Sequence, residues 1–193
     1  FYENEYGTVG VVSDNDESSV VEVTPYRLEE RYSDKRHPDS VRFSKRLDDD
    51  LARRDFTINA MAYDVSRETI VDPFGGLNDL KSKTIRAVGD AKDRFGEDAL
   101  RIIRAIRLAT ELGFSIERVS RETVKEKASL LEHISQERIR DELIKIVMSG
   151  MPSVGFRLME ELGVLLFAMP ELVQMLGVGQ NKAHIYDVWE HSL

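Results

Sequence analysis

The most informative stretch of the chain is Arg53-Arg54-Asp55-Phe56-Thr57-Ile58-Asn59-Ala60-Met61-Ala62. Its charged, amide and apolar residues follow an order that no simple packing period produces, which indicates a binding site. The adjacent guanidiniums of Arg53 and Arg54 are forked donors that suit phosphate and ribose oxygens. Asp55 and Asn59 can hold a hydroxyl or an amide. The alternative is the start of an amphipathic helix capped by Asp55.

The length and composition of the chain are those of a globular protein. It has 193 residues, 41% hydrophobic and 32% charged, enough for one domain or two small ones. No apolar run approaches the ~18 residues of a membrane span and no signal-peptide pattern is present, so we expect a cytoplasmic protein. Zero cysteines exclude disulfides and thiolate metal sites. A net charge of -8 argues against a generally basic nucleic-acid binder, so any RNA contact must come from a local patch.

Two valine-rich segments near the N-terminus, 6–12 and 18–26, predict a β-hairpin with a polar turn between its strands. The strand period of two places Val20, Glu22 and Thr24 on one face, so Glu22 points away from the face that carries only valines. A lone glutamate on a strand is usually a solvated surface residue. The pattern by itself therefore assigns Glu22 no function.

The clearest helical pattern covers residues 97–112. At 100° per residue, Ile102, Ile103, Ile106 and Ala109 form a core face, whereas Leu100, Arg104 and Arg107 lie on another side. Asp98 and Arg101 are three residues apart and therefore adjacent on the helix surface, where they offer an acceptor beside a donor fork. Glu97 and Asp98 would also stabilise the helix dipole from the first turn, so a purely structural role explains both.

An acceptor fixed beside a donor can distinguish nucleobases. Cytosine and adenine both present an exocyclic amine that donates next to a ring nitrogen that accepts, whereas uracil and guanine present the reverse. A carboxylate at Asp98 and a guanidinium at Arg101 would therefore accept C and A and reject U and G. The pattern predicts that the protein itself could serve as a template for two bases.

Residues 53–62 resemble motif B of the class II tRNA nucleotidyltransferases, the CCA-adding enzymes, whose nearest relatives are bacterial poly(A) polymerases. The resemblance covers nearly the whole chain, and the other matching segments are Gly7-Thr8-Val9, Glu22-Val23-Thr24, Asp50, 70–80 (motif C), Glu97-Asp98-Ala99-Leu100-Arg101 and 135–143 (motif E). The two glycines of motif C permit a positive φ or a close backbone approach. Residues 180–191 resemble the opening of an HD phosphohydrolase domain, with His191 as its first metal ligand.

The resemblance implies an α+β fold, with a partial nucleotidyltransferase head of the polymerase-β type followed by an all-α neck and body. The expected ranges are 1–85 for the C-terminal part of the head, 86–148 for a neck that recognises the base, 149–180 for the body and 181–193 for the start of a truncated HD domain. Motif C would be the hinge between head and neck. Ser135 is expected to cap a helix in motif E, whose charges are spaced for intrahelical pairs.

The resemblance also implies a function: template-independent addition of CCA to the tRNA 3′ end from CTP and ATP, with Mg²⁺ as cofactor. Glu22 is implied as the catalytic carboxylate and metal ligand. The implied nucleotide-binding residues are Arg53, Arg54, Asp55, Asn59, Asp98, Arg101, Arg104 and Arg107, with Arg104 facing the triphosphate. We therefore expect Glu22, Asp55 and Asp98 to open onto one cleft.

One family feature has no counterpart in the chain: the Gly-Gly-x-x-Arg-Asp motif together with the Asp-x-Asp pair that holds two Mg²⁺ ions. We therefore expect the chain to be a fragment of a longer enzyme and to be inactive alone. Three alternatives stay open, namely a poly(A) polymerase of the same superfamily, a non-catalytic RNA-binding module and the lead segment of an HD hydrolase. The sequence Asn59-Ala60-Met61-Ala62 favours CCA addition over poly(A) synthesis.

Overall fold

The computed structural model describes residues 2–3, 7–13, 16–30, 40–179 and 186–193. A strand-rich part precedes a helical part, which confirms the α+β fold expected from the sequence. Within these ranges no helix has both the length and the apolar character needed to cross a bilayer. The expected ranges of head, neck and body stay predictions, and the expected HD segment lies partly outside the described residues, at 181–185.

The first part of the chain is built from small antiparallel units. Strands β1 (Tyr2–Glu3), β2 (Val9–Ser13) and β3 (Asp16–Val23) form one sheet, β4 (Arg27–Glu30) pairs with β5 (Ser40–Phe43), and β6 (Ala62–Asp64) pairs with β7 (Thr69–Val71). The predicted hairpin is confirmed as β2 and β3, with Gly10 opposite Glu22. Val21 and Val23 are exposed, so this sheet face is not part of the core.

The second part of the chain is helical. Two α-helices belong to the first part, α1 (Leu47–Ala52) and α2 (Gly76–Lys81). The helices of the second part are α3 (Ala91–Glu97), α4 (Leu100–Leu112), α5 (Arg118–Lys127), α6 (Gln136–Val147), α7 (Pro152–Glu161), α8 (Leu165–Ala168), α9 (Pro170–Val173) and α10 (Val188–Ser192). Short 3₁₀ helices cover Thr57–Asn59 and Ala128–His133, and β8 (Thr84–Ile85) pairs in parallel with β9 (Ser115–Ile116). Helix α4 is central, since it packs on α6 and α7 and its predicted core face is fully buried at Ile102, Ile103 and Ile106.

The predicted helix over 97–112 is broken near its start. Helix α3 ends at Glu97, Asp98 is extended with φ -135° and ψ 106°, and α4 begins at Leu100. The Asp98 carboxylate accepts from the backbone N–H of Leu100 at 3.1 Å. The backbone carbonyl oxygen of Asp98 accepts from the backbone N–H of Arg101. The aspartate side chain thus competes with the helical backbone pattern. Glu97 and Asp98 therefore precede α4 and do not lie in its first turn.

Helix α6 departs from its predicted local pairing. Ser135 stands at the N-cap position, but its hydroxyl makes no capping hydrogen bond. Glu142 forms an intrahelical ion pair at 2.9 Å, but with Lys145, which lies beyond the segment 135–143, and not with an arginine of that segment. Arg138 donates to Asp98, and Glu142 accepts from Arg107 of α4. Helix α6 is therefore attached to its neighbours by contacts between helices.

The last described helix, α10, is fastened to α7. Arg157 donates through both terminal nitrogens to the carboxylate of Glu190, at 2.5 and 2.6 Å. Trp189 is buried and its Nε1 donates to Oε2 of Glu160 at 2.7 Å. These contacts join the final segment to the helical part, and its assignment to an HD domain stays a prediction.

The glycine pair of motif C serves both purposes that the sequence suggested. Gly75 has φ 76° at the N-cap of α2, a conformation that favours glycine. A Cβ atom on Gly76 would lie 2.2 Å from the carbonyl oxygen of Thr57, so α2 lies directly against the 3₁₀ helix of motif B. The Asp72 carboxylate holds this turn by accepting from the backbone N–H of Gly76 at 2.7 Å and of Leu77 at 2.9 Å.

The substitution Gly76→Ala should lower the free energy of unfolding by about 1 to 3 kcal/mol or more, because the added methyl group meets backbone atoms that cannot change rotamer. Gly150→Ala is the control, since a Cβ atom there has no neighbour within 4 Å, and it should change stability by less than about 0.5 kcal/mol. Urea unfolding of both variants measures the difference. Equal losses in the two would contradict the close approach at Gly76.

Candidate nucleotide-binding site

A cleft of about 560 Å³ lies between motif B and the start of α4. Its lining combines six arginines with two aspartates, and consists of Arg27, Arg53, Arg54, Arg101, Arg104, Arg138, Asp55, Asp98, Asn59 and Leu100. The cleft is therefore basic although the chain as a whole is acidic. Forked donors around a concave surface suit a ligand that carries phosphate. Of the predicted site residues, Glu22 and Arg107 do not belong to this lining.

Asp50 holds the two arginines of motif B. Its Oδ1 accepts from Nε and Nη2 of Arg53 at 3.0 and 2.7 Å, and its Oδ2 accepts from Nη2 of Arg54 at 3.2 Å. Burial raises the pKa of Asp50, but the hydrogen bonds and charges of the two arginines outweigh burial and leave this pKa below its usual value. Because Asp50 lies in α1, the helix fixes the spacing of the two forks.

Asp55 and Arg104 join motif B to α4. Oδ2 of Asp55 accepts from Nε and Nη2 of Arg104 at 2.9 and 2.5 Å, while Oδ1 accepts from the backbone N–H of Phe56 at 2.8 Å and from Nδ2 of Asn59 at 3.1 Å. Burial raises the pKa of Asp55, yet the charge and hydrogen bonds of Arg104 bring it below the usual value. Burial lowers the pKa of Arg104, but the charge and hydrogen bonds of Asp55 outweigh burial and leave this pKa above its usual value. Asp55 is not an N-cap, so the helix-cap alternative is wrong.

Arg101 is buried, with 8% of its surface exposed. Its Nη1 donates to the carbonyl oxygen of Arg94 at 3.0 Å and to Oε2 of Glu97 at 2.7 Å, and its Nη2 donates to the carbonyl oxygen of Arg53 at 3.1 Å. These contacts tie the end of α3 to motif B. Within the described ranges they leave the Nε–H and one Nη2 hydrogen of Arg101 available as donors.

Asp98 and Arg101 both line the cleft, but they do not pair with each other. Oδ1 of Asp98 accepts from the backbone N–H of Leu100 at 3.1 Å, and Oδ2 accepts from Nη2 of Arg138 at 3.0 Å. The predicted acceptor is thus anchored by its own turn and by α6, whereas the predicted donor is anchored by α3 and motif B. Separate anchoring keeps the two groups from neutralising each other.

Arg107 faces α6, away from the cleft lining. Its Nε donates to Oε2 of Glu142 at 2.5 Å and its Nη1 donates to Oε2 of Glu111 at 2.5 Å. Burial raises the pKa of Glu142, but Lys145 and Arg107 bring it below the usual value. This position gives Arg107 a part in packing α4 on α6. Nucleotide binding by Arg107 stays a prediction without support from its contacts.

Glu22 is exposed on β3 and does not line the cleft. The expectation that it shares one cleft with Asp55 and Asp98 therefore holds only for the two aspartates. In the part of the chain that the structure describes, no three side chains of His, Asp or Glu come together as a metal site, and His191 is exposed on α10. These residues do not fit a Mg²⁺ site by themselves, and Glu22 as a ligand stays a prediction.

Arg27, Leu100 and Arg138 line the cleft but were not predicted as site residues. Arg27 comes from β4 and Arg138 from α6, and both are remote in sequence from motif B. Arg138 and Glu142 have the spacing of an intrahelical pair, which concealed the contact that Arg138 makes across the cleft. The resemblance did point to Asp50, but as a matching position without a role.

Two family models match the chain. One is described as the poly A polymerase head domain and matches residues 1–86, and the other is described as the probable RNA and SrmB-binding site of polymerase A and matches residues 113–176. The CCA-adding enzyme of Lactobacillus delbrueckii subsp. bulgaricus is 48% identical over 144 residues, which cover 75% of this chain and 35% of that enzyme. The CCA-adding enzyme of Lactococcus lactis subsp. cremoris is 46% identical over 157 residues, which cover 81% and 39%. The chain thus spans little more than a third of the length of these relatives.

Solved structures of CCA-adding enzymes have the same fold. The Bacillus stearothermophilus CCA-adding enzyme in complex with CTP superposes with a TM-score of 0.74 at 39% identity, over 84% of this chain and 38% of that one. A CCA-adding enzyme in apo form II gives a TM-score of 0.78 at 29% identity, over 88% and 40%. Sequence, family models and fold agree, and the chain belongs to the nucleotidyltransferase family of the CCA-adding enzymes and poly(A) polymerases.

Proposed function

We propose that the protein containing this segment adds CCA to the 3′ end of tRNA without a nucleic-acid template, and that its basic cleft takes CTP and ATP. The observation that carries the proposal is the meeting of the paired motif B arginines with Asp98 and Arg101 in one cleft. Similar proteins named CCA-adding enzymes support it, as do solved relatives in complex with CTP at 39% identity and with ATP at 36%. A cytoplasmic location is part of the same proposal.

Arg53, Arg54 and Arg104 bind the triphosphate in this proposal. Arg54 is the most accessible, with 45% of its side chain exposed against 20% for Arg53 and 33% for Arg104. Asp50 and Asp55 hold these guanidiniums in place before a ligand arrives, so binding costs little additional side-chain entropy. Phosphate contacts carry no information about the base, and CTP and ATP therefore bind alike here.

Asp98 and Arg101 read the base edge. Each Asp98 oxygen has two lone pairs, so the contacts with Leu100 and Arg138 leave capacity for an exocyclic amine. Arg101 keeps donors for a ring nitrogen, and its bond to Glu97 restrains it from turning to suit another base. A fixed acceptor beside a fixed donor selects C and A and rejects U and G.

Nucleotidyltransferases of this family generally use a divalent metal ion. We propose Mg²⁺ as that ion, with Glu22 as the candidate ligand from this chain. The support for Glu22 is the resemblance of Glu22-Val23-Thr24 alone, because among the described residues no group of three potential metal ligands forms. The nucleotide contacts proposed above do not depend on this assignment.

Poly(A) polymerase is the second candidate, because the family model over residues 1–86 carries that name. Incubation of the purified full-length protein with tRNA that lacks the 3′-terminal CCA distinguishes the two candidate functions. Incorporation of CTP followed by ATP supports CCA addition, whereas repeated incorporation of ATP alone supports poly(A) synthesis. Binding of tRNA without any incorporation would leave a non-catalytic RNA-binding module.

In the full-length protein, Asp98→Ala and Arg101→Ala should each reduce discrimination against UTP and GTP by about one to two orders of magnitude, since a lost bidentate contact is worth ~1 to 3 kcal/mol. The kcat/KM values for all four nucleotides give this ratio, which a general loss of stability does not change. Asp141→Ala and Arg140→Ala are matched controls, because both side chains are exposed on α6. Unchanged selectivity in both cleft variants would mean that Asp98 and Arg101 only shape the α3–α4 junction.

Arg104→Ala should raise KM for CTP and ATP by the same factor and leave base selectivity intact, because the contact it removes is with phosphate. Steady-state kinetics with each nucleotide measure both quantities. Arg67→Ala is the control, since the Arg67 side chain is 80% exposed. A KM increase confined to one nucleotide would show that Arg104 reads the base.

The Asp55–Arg104 pair should make stability depend on pH. The folded pKa of Asp55 lies below its ordinary value of 3.8, so its contribution is complete above that value and is lost as pH falls through the folded pKa. Asp55→Asn should lower the free energy of unfolding at pH 7 by about 1 to 3 kcal/mol, and this difference from the parent should fade in acid. Urea unfolding across pH measures it, with Asp141→Asn as an exposed control. A difference in unfolding free energy that stays constant with pH would rule out the charge of Asp55 as its cause.

A further inference from the structure

Arg138 makes a contact that its position in the sequence does not favour. Glu142 lies one helical turn further along α6 and would be an ordinary intrahelical partner. Instead, Nη2 of Arg138 donates to Oδ2 of Asp98 at 3.0 Å, and Glu142 accepts from Arg107 and Lys145. A side chain of α6 therefore reaches the α3–α4 junction at the point where the candidate base-reading carboxylate stands.

The contact between Arg138 and Asp98 is partly shielded from solvent. The two side chains are 25% and 17% exposed, and both line the cleft, so water and salt screen their attraction less than at an open surface. Nη1 of Arg138 is buried and has no hydrogen-bond partner among the described residues. A buried donor without an acceptor is unfavourable. The hydrogen bond from Nη2 to Asp98 therefore holds Arg138 in place even though its Nη1 stays without an acceptor among the described residues.

The contact determines how the Asp98 carboxylate is oriented. The terminal torsion of an aspartate is broad when nothing restrains it. Here the backbone N–H of Leu100 holds Oδ1 and Arg138 holds Oδ2, so both oxygens have fixed positions. Removing Arg138 would leave the carboxylate held only at Oδ1, so that the whole group could rotate about that contact and the lone pair offered to a base amine would lose its direction.

We propose that Arg138 is a specificity-determining positioning residue, which holds the Asp98 carboxylate in the orientation that accepts the amine of cytosine or adenine. The inference rests on the proposed function, because it assigns Arg138 a part in the base selection of the same cleft. Arg138 acts through Asp98, whereas Arg53, Arg54 and Arg104 act on the triphosphate.

The test compares Arg138→Ala and Arg138→Lys with Arg140→Ala in the full-length protein. Arg140 is the matched control because it lies on the same helix and its side chain is 64% exposed. Arg138→Ala should lower the kcat/KM ratios of CTP to UTP and of ATP to GTP about tenfold, as expected for a coupled neighbour. Arg138→Lys should recover part of the loss, since it keeps the charge and one donor, and Arg140→Ala should leave both ratios unchanged.

Two outcomes would overturn the inference. If Arg138→Ala lowers the melting temperature and leaves both ratios unchanged, Arg138 only packs α6 on the junction. If it raises KM equally for all four nucleotides and leaves the ratios unchanged, Arg138 contacts phosphate.

A double variant separates this inference from the proposed function. Adding Arg138→Ala to Asp98→Ala should cause no further loss of selectivity, because Arg138 acts through the carboxylate that is already absent. Independent, additive losses would overturn the positioning role. If Asp98→Ala alone keeps full selectivity, the base reading of the proposed function fails. If Asp98→Ala loses selectivity and Arg138→Ala does not, only the role of Arg138 fails.

Discussion

The structure of the cleft depends on offsetting the mutual repulsion of its arginines. Six guanidiniums that stay charged at any ordinary pH line a space of about 560 Å³, and like charges so close would push the cleft open. Carboxylates offset most of this charge: Asp50 faces two of the arginines, and Asp55, Glu97 and Asp98 face one each. The pKa values of Asp50 and Asp55 lie below their usual values, so these two remain charged in mild acid.

The origin of these carboxylates ties the cleft to the fold. Asp50 pairs with the two residues that directly follow α1, but Asp55 pairs with α4 and Asp98 pairs with α6. The charges that neutralise the cleft are therefore the same groups that hold motif B, α4 and α6 together. Removing one partner of such a shielded pair leaves the other uncompensated, which is usually costly. The forks are consequently rigid before any anion enters.

Features with a local cause could be predicted from the sequence. The β2–β3 hairpin follows from two valine-rich runs, the core face of α4 from its helical period, and the turn at Gly75 from the freedom of glycine. The break at Asp98 was missed because its side chain competes with the helix, which a periodic pattern cannot show. The partner of Arg138 was missed because an intrahelical and a long-range partner look alike in sequence. The strand period placed Glu22 on a face of the sheet but could not say what lies opposite that face.

The break between α3 and α4 restricts how this segment can vary in evolution. Arg101 and Arg104 lie one turn apart on α4, and each reaches back to a fixed partner, the carbonyl oxygen of Arg53 and the carboxylate of Asp55. One inserted residue would rotate every later position by about 100° around the helix axis and shift it by about 1.5 Å, so both partners would be lost together. Ala99 is completely buried within the break, which also excludes a larger side chain there. Homologous proteins that keep this cleft should therefore show neither insertions nor deletions at the junction, while the exposed turn at 65–68 is free to change length.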